Sequence, residues 1–172
     1  TEDGPLPFQV YFVQRHCEPR ITGVRFDGAE ASVPSPAFLT ALQTADAIVY
    51  CPSNPLVSIR PVLAVPGVRE AIQAFAGPRI AVSPIVGGQA LKGPAAKMMV
   101  ELGQEVNSAG VARHYPGLCD TLVLDTTDAA EAASVESLGM QALVTKTVMA
   151  TEEDKTTLAR EIIAYAEAWR GR

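Results

Sequence analysis

Four short apolar runs, each followed by residues at helical spacing, constrain the fold of this chain more than any other feature. The runs are Ala47–Cys51, Arg79–Ser83, Thr121–Asp125 and Gln141–Thr145. A short continuous apolar run is typical of a strand that is buried on both faces of a parallel sheet. Strands that alternate with helices predict βαβ units, in which helices cover both sides of the sheet. We therefore predict an α/β fold with a mostly parallel sheet.

Helical spacing between and after these runs predicts the covering helices. The predicted helices are Ile59–Leu63, Val68–Phe75, Ala95–Leu102, Ala109–His114, Ala129–Leu138 and Glu152–Trp169. A shorter helix is expected to begin after Ser35, because Ser at the N-cap followed by Pro at the first helical position is a common helix start. Thr151 and Asp154 have the spacing of a capping box at the start of the last helix.

The residues before Ser35 have a different character. Phe8–Val13 is rich in β-branched and aromatic residues, and Gly23–Phe26 has the pattern of a short partner strand. We therefore predict one α/β domain over residues 1–172, with a short β segment at 1–34 and strand–helix repeats at 35–172. Because the chain starts without Met and leads at once into a sheet-like segment, we expect it to be a portion of a longer protein.

Charge and cysteine content argue against several classes of protein. The formal net charge of −5 gives no broad basic surface for nucleic acid or an anionic membrane. Apolar residues make up 48% of the 172 residues, yet the longest apolar runs have the length of strands rather than of membrane spans. Cys17, Cys51 and Cys119 are odd in number and widely spaced, which favours a reducing cytoplasm over a disulfide framework or a zinc site.

The loops that follow the four runs are the candidate site, because ligands of a parallel sheet bind at the carboxyl ends of its strands. In the first loop, Ser53 and Asn54 stand between two prolines that stiffen a tight turn. Ser58 is predicted to cap the next helix, whose N-terminus would favour an anion. The alternative is a rigid turn with a helix cap and no ligand.

The second loop, from Ser83 to Pro94, is rich in glycine. Gly87 and Gly88 allow the backbone to approach a ligand closely and Lys92 supplies a positive charge, so we predict contact with phosphate. The loop is not a Walker A motif, because Lys92 precedes its glycine and Pro94 stands near the place of Ser or Thr. The alternative is a flexible connector with a solvated lysine.

The third loop consists of Asp125, Thr126, Thr127 and Asp128. A carboxylate of this loop is a candidate partner for a divalent metal or a ligand hydroxyl, and the alternative is a cap for the next helix. His16 and His114 are isolated from each other and from any cysteine, so we predict structural roles for both.

Five segments of the chain can be recognised together. They are ADAIV (45–49), CPSNPLVSIRPVLAVPGVREAI (51–72) and AVSPIVGGQALKGPAAKMM (81–99), with FQVYFV (8–13) and VTKTVM (144–149) on either side. Their combination resembles the 2-phospho-L-lactate transferase family of coenzyme F-420 biosynthesis, and the resemblance covers essentially the whole chain.

That resemblance implies a Rossmann-like, three-layer α/β/α domain that binds a guanosine diphosphate ester together with Mg²⁺. A hydroxyl of the deazaflavin precursor Fo would attack the phosphorus that bears a lactyl, phosphoenolpyruvyl or glyceryl group, and GMP would leave. The positions that match the binding loops of the family are Ser53, Asn54, Pro55, Ser58, Ser83, Gly87, Gly88, Lys92 and Gly93. No catalytic residue is assigned, and Asp125 is a weak metal candidate.

Family members are longer and begin with a Gly-rich strand–turn–helix, followed by an acidic residue implicated in binding Fo and metal. The resemblance therefore implies that part of the active site lies outside this chain, and it leaves open whether the chain is active alone. Arg60 stands where many relatives have Gly, which would add a cation near the phosphates. Lys146 stands at an often acidic position, and either changes the preferred acid or is a surface substitution.

Two rival functions are compatible with the same fold. A related family of nucleotide-sugar-binding regulatory proteins has a comparable serine-containing loop, but lacks the SNP and GGxxxKGPAAK patterns. A generic nucleotide-binding or structural module is the second rival. Small and apolar residues between Ala95 and Tyr115 also predict a subunit contact, and hence a homodimer.

Overall fold

A computed structural model describes residues 1–169 and confirms the Rossmann-like α/β architecture. The strands are β1 (Ile48–Tyr50), β2 (Arg79–Val82), β3 (Ile85–Val86), β4 (Gln89–Ala90), β5 (Thr121–Asp125) and β6 (Gln141–Thr145). Four of them form one parallel sheet in the order β1-β2-β5-β6. The other two, β3 and β4, pair as an antiparallel hairpin directly after β2.

Seven α-helices connect and cover the strands. They are α1 (Pro36–Thr44), α2 (Arg60–Leu63), α3 (Val68–Gln73), α4 (Ala95–Glu101), α5 (Ser108–Ala112), α6 (Ala132–Glu136) and α7 (Glu152–Ala168). Irregular helical turns cover Val10–Gln14, Ala29–Ala31, Pro55–Ile59 and Thr126–Glu131. Over residues 1–169, no helix has the length and apolar character needed to cross a bilayer.

The helix starts that the sequence predicted are confirmed. The Ser35 hydroxyl accepts a hydrogen bond from the Phe38 N–H at 3.2 Å, and α1 begins at the following proline. At the start of α7, the Thr151 hydroxyl accepts from the Asp154 N–H at 3.1 Å, and the Asp154 carboxylate accepts from the Thr151 N–H at 2.8 Å. These bonds satisfy N–H groups that a helix leaves without partners at its first turn.

Alternate side chains of the sheet enter two separate cores, as the two-residue period of a strand requires. The core on the α7 side contains Ile80, Val82, Val123, Leu158 and Ile162. The larger core on the other side includes Tyr50, Ala81, Leu122, Leu124, Met98, Met99 and Val111. The sheet is therefore a middle layer with its carboxyl edge left for loops.

The two predicted strands in residues 1–34 are wrong. Phe8–Val13 contributes to a helical turn at Val10–Gln14, in which the rings of Phe8 and Phe12 stack with centroids 5.5 Å apart. Gly23–Phe26 runs without strand pairing. Strand-like composition needs a hydrogen-bonded neighbour to become a strand, and a pair of short strands alone is marginally stable. The segment packs on the larger core through Tyr11 and Ile21 instead.

The surface on which the homodimer prediction rested lies largely inside the fold. Between Ala95 and Tyr115, the small and apolar residues that are buried are Ala95, Met98, Met99, Ala109, Gly110, Val111, Ala112 and Tyr115. Val100 is exposed on this stretch. The homodimer stays a prediction.

Candidate functional site

Asn54 shapes the loop after β1 by capping the helical turn that follows. Its Oδ1 atom accepts a hydrogen bond from the Leu56 N–H at 2.9 Å, and Pro55 occupies the first position of the turn. The Asn54 amide also donates from Nδ2 to Met98 Sδ at 3.4 Å, which ties the loop to α4. One side chain therefore sets both the start and the position of this turn.

The prediction that Ser58 caps the next helix is wrong. Helical structure begins at Pro55, because proline at the first position and Asn54 at the cap start the turn earlier than expected. Ser58 thus lies inside the turn with an exposed side chain. Within residues 1–169, neither its hydroxyl nor that of the half-buried Ser53 has a hydrogen-bond partner, so both are free to bind a ligand.

The glycine-rich loop after β2 is a hairpin rather than a flexible connector. Gly87 and Gly88 form its two-residue turn with φ values of 58° and 73°. A type I′ turn needs positive φ at both central positions, which explains the two glycines. Ser83 is buried before the hairpin, where its hydroxyl accepts from the Ile85 N–H at 3.2 Å and donates to the Ile85 carbonyl at 3.0 Å. The Ser83 hydroxyl therefore shapes the turn into the hairpin, and its contact with a ligand stays a prediction.

Lys92 and Gly93 follow the hairpin on the way to α4. Gly93 has a φ of 71°, which permits the chain to turn before Pro94. The Lys92 side chain is exposed, and no ion pair or hydrogen bond engages its ammonium group in the part of the chain that the structure describes. It is a cation available to an anionic ligand.

Asp125 is the last residue of β5, and both oxygens of its buried carboxylate accept hydrogen bonds. Its Oδ1 accepts from the Thr127 N–H at 2.9 Å and the Thr127 hydroxyl at 2.8 Å. Its Oδ2 accepts from the Thr147 N–H at 2.8 Å and the Thr147 hydroxyl at 3.2 Å. The helix-cap alternative for Asp125 is therefore what the structure shows, and the carboxylate also joins the end of β5 to the segment after β6.

These bonds leave Asp125 poorly suited to hold a metal. Across residues 1–169, no group of three or more His, Cys, Asp or Glu side chains is arranged to bind a metal ion. A magnesium ion prefers octahedral oxygen coordination and takes one or two carboxylates as ligands. The described residues thus hold no preformed cluster of three such side chains, and the Asp125 oxygens are already engaged in hydrogen bonds.

The hydrogen bonds of the Asp125 carboxylate predict how the free energy of unfolding depends on pH in the acid range. Burial alone would raise its pKa, but the hydrogen bonds from Thr127 and Thr147 lower the pKa to about 2. A folded pKa below the unfolded value means that the stabilisation is present above about pH 4 and is lost as the pH falls through about 2. Asp125→Asn is expected to lower the free energy of unfolding by about 2 kcal/mol near neutral pH.

Urea denaturation of both proteins at pH 7, pH 4 and pH 3 measures this difference. The difference in free energy of unfolding between the two proteins should become smaller as the pH falls from 7 to 3. A constant gap over this range would contradict the assignment of the low pKa to Asp125. Glu136→Gln is a matched control, because Glu136 is an exposed carboxylate at the end of α6.

Asp128 lies in the predicted third loop, but sequence reasoning did not foresee its contact with the glycine-rich loop. It is 7% exposed, and both of its carboxylate oxygens lie near the Gly87 N–H, at 3.0 and 3.1 Å. Burial and the nearby Glu131 and Asp125 carboxylates raise the pKa of Asp128, against the effect of the bond from Gly87. The bond fixes the Gly87–Gly88 turn, and since the partners are 41 residues apart no local sequence signal predicts it.

The three predicted loops meet at one edge of the sheet. Asn54 contacts Met98 of α4, the helix that follows the glycine-rich loop. Gly87 contacts Asp128, and a Cβ atom at Gly87 would lie 3.7 Å from Thr127 Cγ2. The structure thus links the loop after β1 to the helix that follows the glycine-rich loop, and the glycine-rich loop to the loop after β5.

Two other singled-out cations have partners of their own. The Arg60 guanidinium lies over the Phe26 ring, 5.9 Å from its centroid. Lys146 donates to the Asp154 carboxylate at 2.7 Å on the exposed surface.

His114 lies 3.1 Å from the Gln104 side-chain oxygen, and burial lowers its pKa, in keeping with the structural role predicted for it.

Comparison with known proteins finds one matching family. The family described as "2-phospho-L-lactate transferase CofD" matches residues 1–165. A phosphoenolpyruvate transferase of Streptomyces griseus is 38% identical over 170 residues, which are 98% of this chain and 54% of that protein. A 2-phospho-L-lactate transferase of Methanothermobacter thermautotrophicus is 36% identical over 163 residues, which are 95% of this chain and 52% of that protein. The chain spans about half the length of these relatives.

Solved structures support the fold. Two crystal structures of a Bacillus halodurans protein, one described as a member of the UPF0052 family, match with TM-scores of 0.52 and 0.51. Sequence identity is 17% and 19%, and each match covers 76% of this chain and 47% of the other. The likeness is one of fold.

Proposed function

Because the chain belongs to the 2-phospho-L-lactate transferase (CofD) family, we propose that it transfers a phosphorylated three-carbon acid from a guanosine diphosphate ester to the deazaflavin Fo. The acid is 2-phospholactate, phosphoenolpyruvate or 3-phosphoglycerate, and the products are an F-420-0-type compound and GMP. The observation that supports this proposal is the meeting of the loops after β1, β2 and β5 at one sheet edge, with a free cation and free hydroxyls.

The proposed reaction is a displacement at phosphorus. The oxygen of an Fo hydroxyl forms a bond to the phosphorus that bears the acid, while the bond from that phosphorus to the bridging oxygen breaks. GMP leaves with the bridging oxygen, and the hydroxyl proton passes to solvent. Such transfers depend on positioning and on stabilisation of charge rather than on a protein nucleophile.

Free polar groups of the chain would hold the diphosphate. The Ser53 and Ser58 hydroxyls would donate hydrogen bonds to phosphate oxygens, and the Lys92 ammonium would neutralise part of their charge. The turn at Gly87 and Gly88 has no side chain, so the ligand can approach the backbone. Asp128 would keep this turn in place from the protein side.

Mg²⁺ would bind the chain together with the donor rather than before it. Because residues 1–169 hold no preformed cluster of three metal-binding side chains, we propose that Mg²⁺ enters the site together with the diphosphate donor. The ion would neutralise phosphate charge when bound.

Lys92→Ala tests the proposed diphosphate contact. Loss of a charge-assisted contact is expected to weaken GDP binding about tenfold in calorimetric titration. The melting temperature should stay the same, since the side chain is exposed and has no partner within residues 1–169. Lys155→Ala is the matched control, because Lys155 is an exposed lysine on α7 paired with Glu152. Equal GDP affinity for the Lys92 and Lys155 variants would contradict the contact.

A further inference from the structure

The hairpin that presents Gly87 and Gly88 is too small to hold its own position. Its strands β3 and β4 have two residues each, and they form a sheet separate from the four-stranded one. A two-stranded hairpin by itself is marginally stable at best in water. Contacts from outside the hairpin must therefore fix its turn.

The helical turn Thr126–Glu131 contacts the glycine turn on one side. The Gly87 N–H donates to the Asp128 carboxylate, 3.0 Å from Oδ1 and 3.1 Å from Oδ2. A Cβ atom at Gly87 would lie 3.7 Å from Thr127 Cγ2, so the hairpin backbone lies against the same helical turn. Because Asp128 is buried, this bond is shielded from competition by water.

The segment before α5 lies on the other side of the glycine turn. A Cβ atom at Gly88 would lie 3.8 Å from the Val106 carbonyl oxygen. Two residues after Val106, the N–H of the buried Ser108 donates to Glu131 Oε2 at 2.6 Å. Glu131 ends the helical turn that carries Asp128. One helical turn thus holds the hairpin directly and holds its neighbour on the opposite side through Glu131.

The helical turn Thr126–Glu131 is fixed to the sheet in its turn. Asp125 at the end of β5 caps it by accepting the Thr127 N–H at 2.9 Å. The same carboxylate accepts the Thr147 N–H at 2.8 Å, beyond the end of β6. Asp128 and Glu131 therefore project from an element that is anchored to two neighbouring strands of the main sheet.

This arrangement leaves one backbone donor of the glycine turn open. The Gly87 N–H is bonded to Asp128, whereas the Gly88 N–H has no hydrogen-bond partner within residues 1–169. Gly88 is exposed and has no side chain, so an oxygen of an anionic ligand can reach its N–H without hindrance.

We propose that Asp128 and Glu131 are positioning residues of the donor site. As hydrogen-bond acceptors they hold the glycine turn between Thr127 and Val106, so that the Gly88 N–H stays in place for a phosphate oxygen. This inference rests on the proposed function, because it assigns two residues to the support of its donor site. The role requires an oxygen acceptor and not a negative charge, since a carboxylate charge beside the diphosphate opposes the binding of an anion.

Two substitutions at Asp128 separate the acceptor from the charge in calorimetric titration of the 172-residue chain with GDP. Asp128→Ala removes the acceptor and is expected to weaken GDP binding about threefold to tenfold, because the ligand must then order the turn. Asp128→Asn keeps an oxygen acceptor without the charge, so it is expected to bind GDP at least as tightly as the unaltered chain. Asp120→Ala is the matched control, because Asp120 precedes the other end of β5 and pairs with Arg79. Its GDP affinity should be unchanged.

Hydrogen exchange of the backbone amides, followed by NMR without ligand, tests the part of Glu131. Glu131→Ala removes the acceptor of the Ser108 N–H and loosens one side of the glycine turn. The Gly87 amide, which Glu131 does not contact, is therefore expected to exchange about threefold faster or more. Glu131→Gln keeps an oxygen acceptor and should restore slow exchange. The Leu122 amide in the middle of the sheet serves as the internal reference.

The outcomes separate this inference from the proposed function. If the unaltered chain binds GDP and Asp128→Ala binds it equally well, the inference is overturned and the proposed function stands. The same holds if Asp128→Asn is as weak as Asp128→Ala, or if Glu131→Ala leaves the exchange of Gly87 unchanged. If the unaltered chain does not bind GDP, the proposed function and the inference fail together.

Discussion

Asn54→Ala is expected to weaken GDP binding at least tenfold while the chain remains folded. The substitution removes the acceptor for the Leu56 N–H and the contact with Met98 Sδ, so the loop after β1 loses both side-chain hydrogen bonds of Asn54. Loss of a cap costs about 1 kcal/mol. For a domain of this length, that corresponds to about 2–4 °C in melting temperature. The ordered loop that presents Ser53 and Ser58 would become mobile, and a ligand would have to order it again on binding.

Asn54→Asp separates loop order from charge. The aspartate keeps an oxygen acceptor for the Leu56 N–H, so its melting temperature should stay close to that of the unaltered chain. It also places a negative charge beside the proposed diphosphate, so GDP binding is expected to be weaker than in Asn54→Ala. Calorimetry with GDP and thermal melting of the same samples give both results. Unchanged GDP affinity in both variants would show that this loop does not contact the donor.

Gly110→Ala is expected to lower the free energy of unfolding by about 3 kcal/mol or more. A Cβ atom at this position would lie 2.0 Å from the Glu105 carbonyl oxygen and 2.9 Å from its carbonyl carbon. These are backbone atoms, so no flexible side chain can move aside. The Asn107 side chain is also close, since its Oδ1 accepts the N–H of Gly110 at 2.7 Å and caps α5.

The predicted loss of stability is opposite to the usual effect of replacing glycine by alanine inside a helix. Alanine in place of glycine inside a helix usually stabilises it by about 1 kcal/mol. At Gly110 the methyl group would instead displace the turn before α5, a helix whose five residues are all buried. Urea denaturation measures the effect, and Gly23→Ala is the control because a methyl group there meets no atom within 4 Å. A Gly110→Ala protein as stable as this control would contradict the packing of α5.

The central sheet could be predicted from the sequence because its signals are local. Thr121–Asp125 and Gln141–Thr145 are strands with the bounds that their apolar runs predicted. Thr121–Asp125 is buried along its whole length in the middle of the sheet, as a continuous apolar run predicts, whereas Gln141–Thr145 is a partly exposed edge strand. The residues before Ser35 show the opposite case. Phe8–Val13 has the composition of a strand, but a strand also needs a neighbour, and whether one is present is decided by distant parts of the chain.

Part of the candidate site could also be predicted from local signals in the sequence. The position of Asn54 before a proline is a local signal, yet its role as the cap became clear only with the start of the turn at Pro55. The Gly87–Gly88 pair also carries a hairpin signal, which neither the prediction of phosphate contact nor the alternative of a flexible connector used. The bond between Asp128 and Gly87 joins two loops through the fold, so no spacing in the sequence could indicate it.

Calorimetric titration of the unaltered chain with GDP and, separately, with UDP-glucose tests the account most directly. The account predicts that GDP binds in the micromolar range and that UDP-glucose binds far more weakly, because the proposed donor is a guanosine ester. Binding of UDP-glucose in preference to GDP would contradict the account and favour a nucleotide-sugar-binding regulator. Absence of binding by either nucleotide would contradict the assignment of the donor to the loops around Asn54, Gly88 and Lys92.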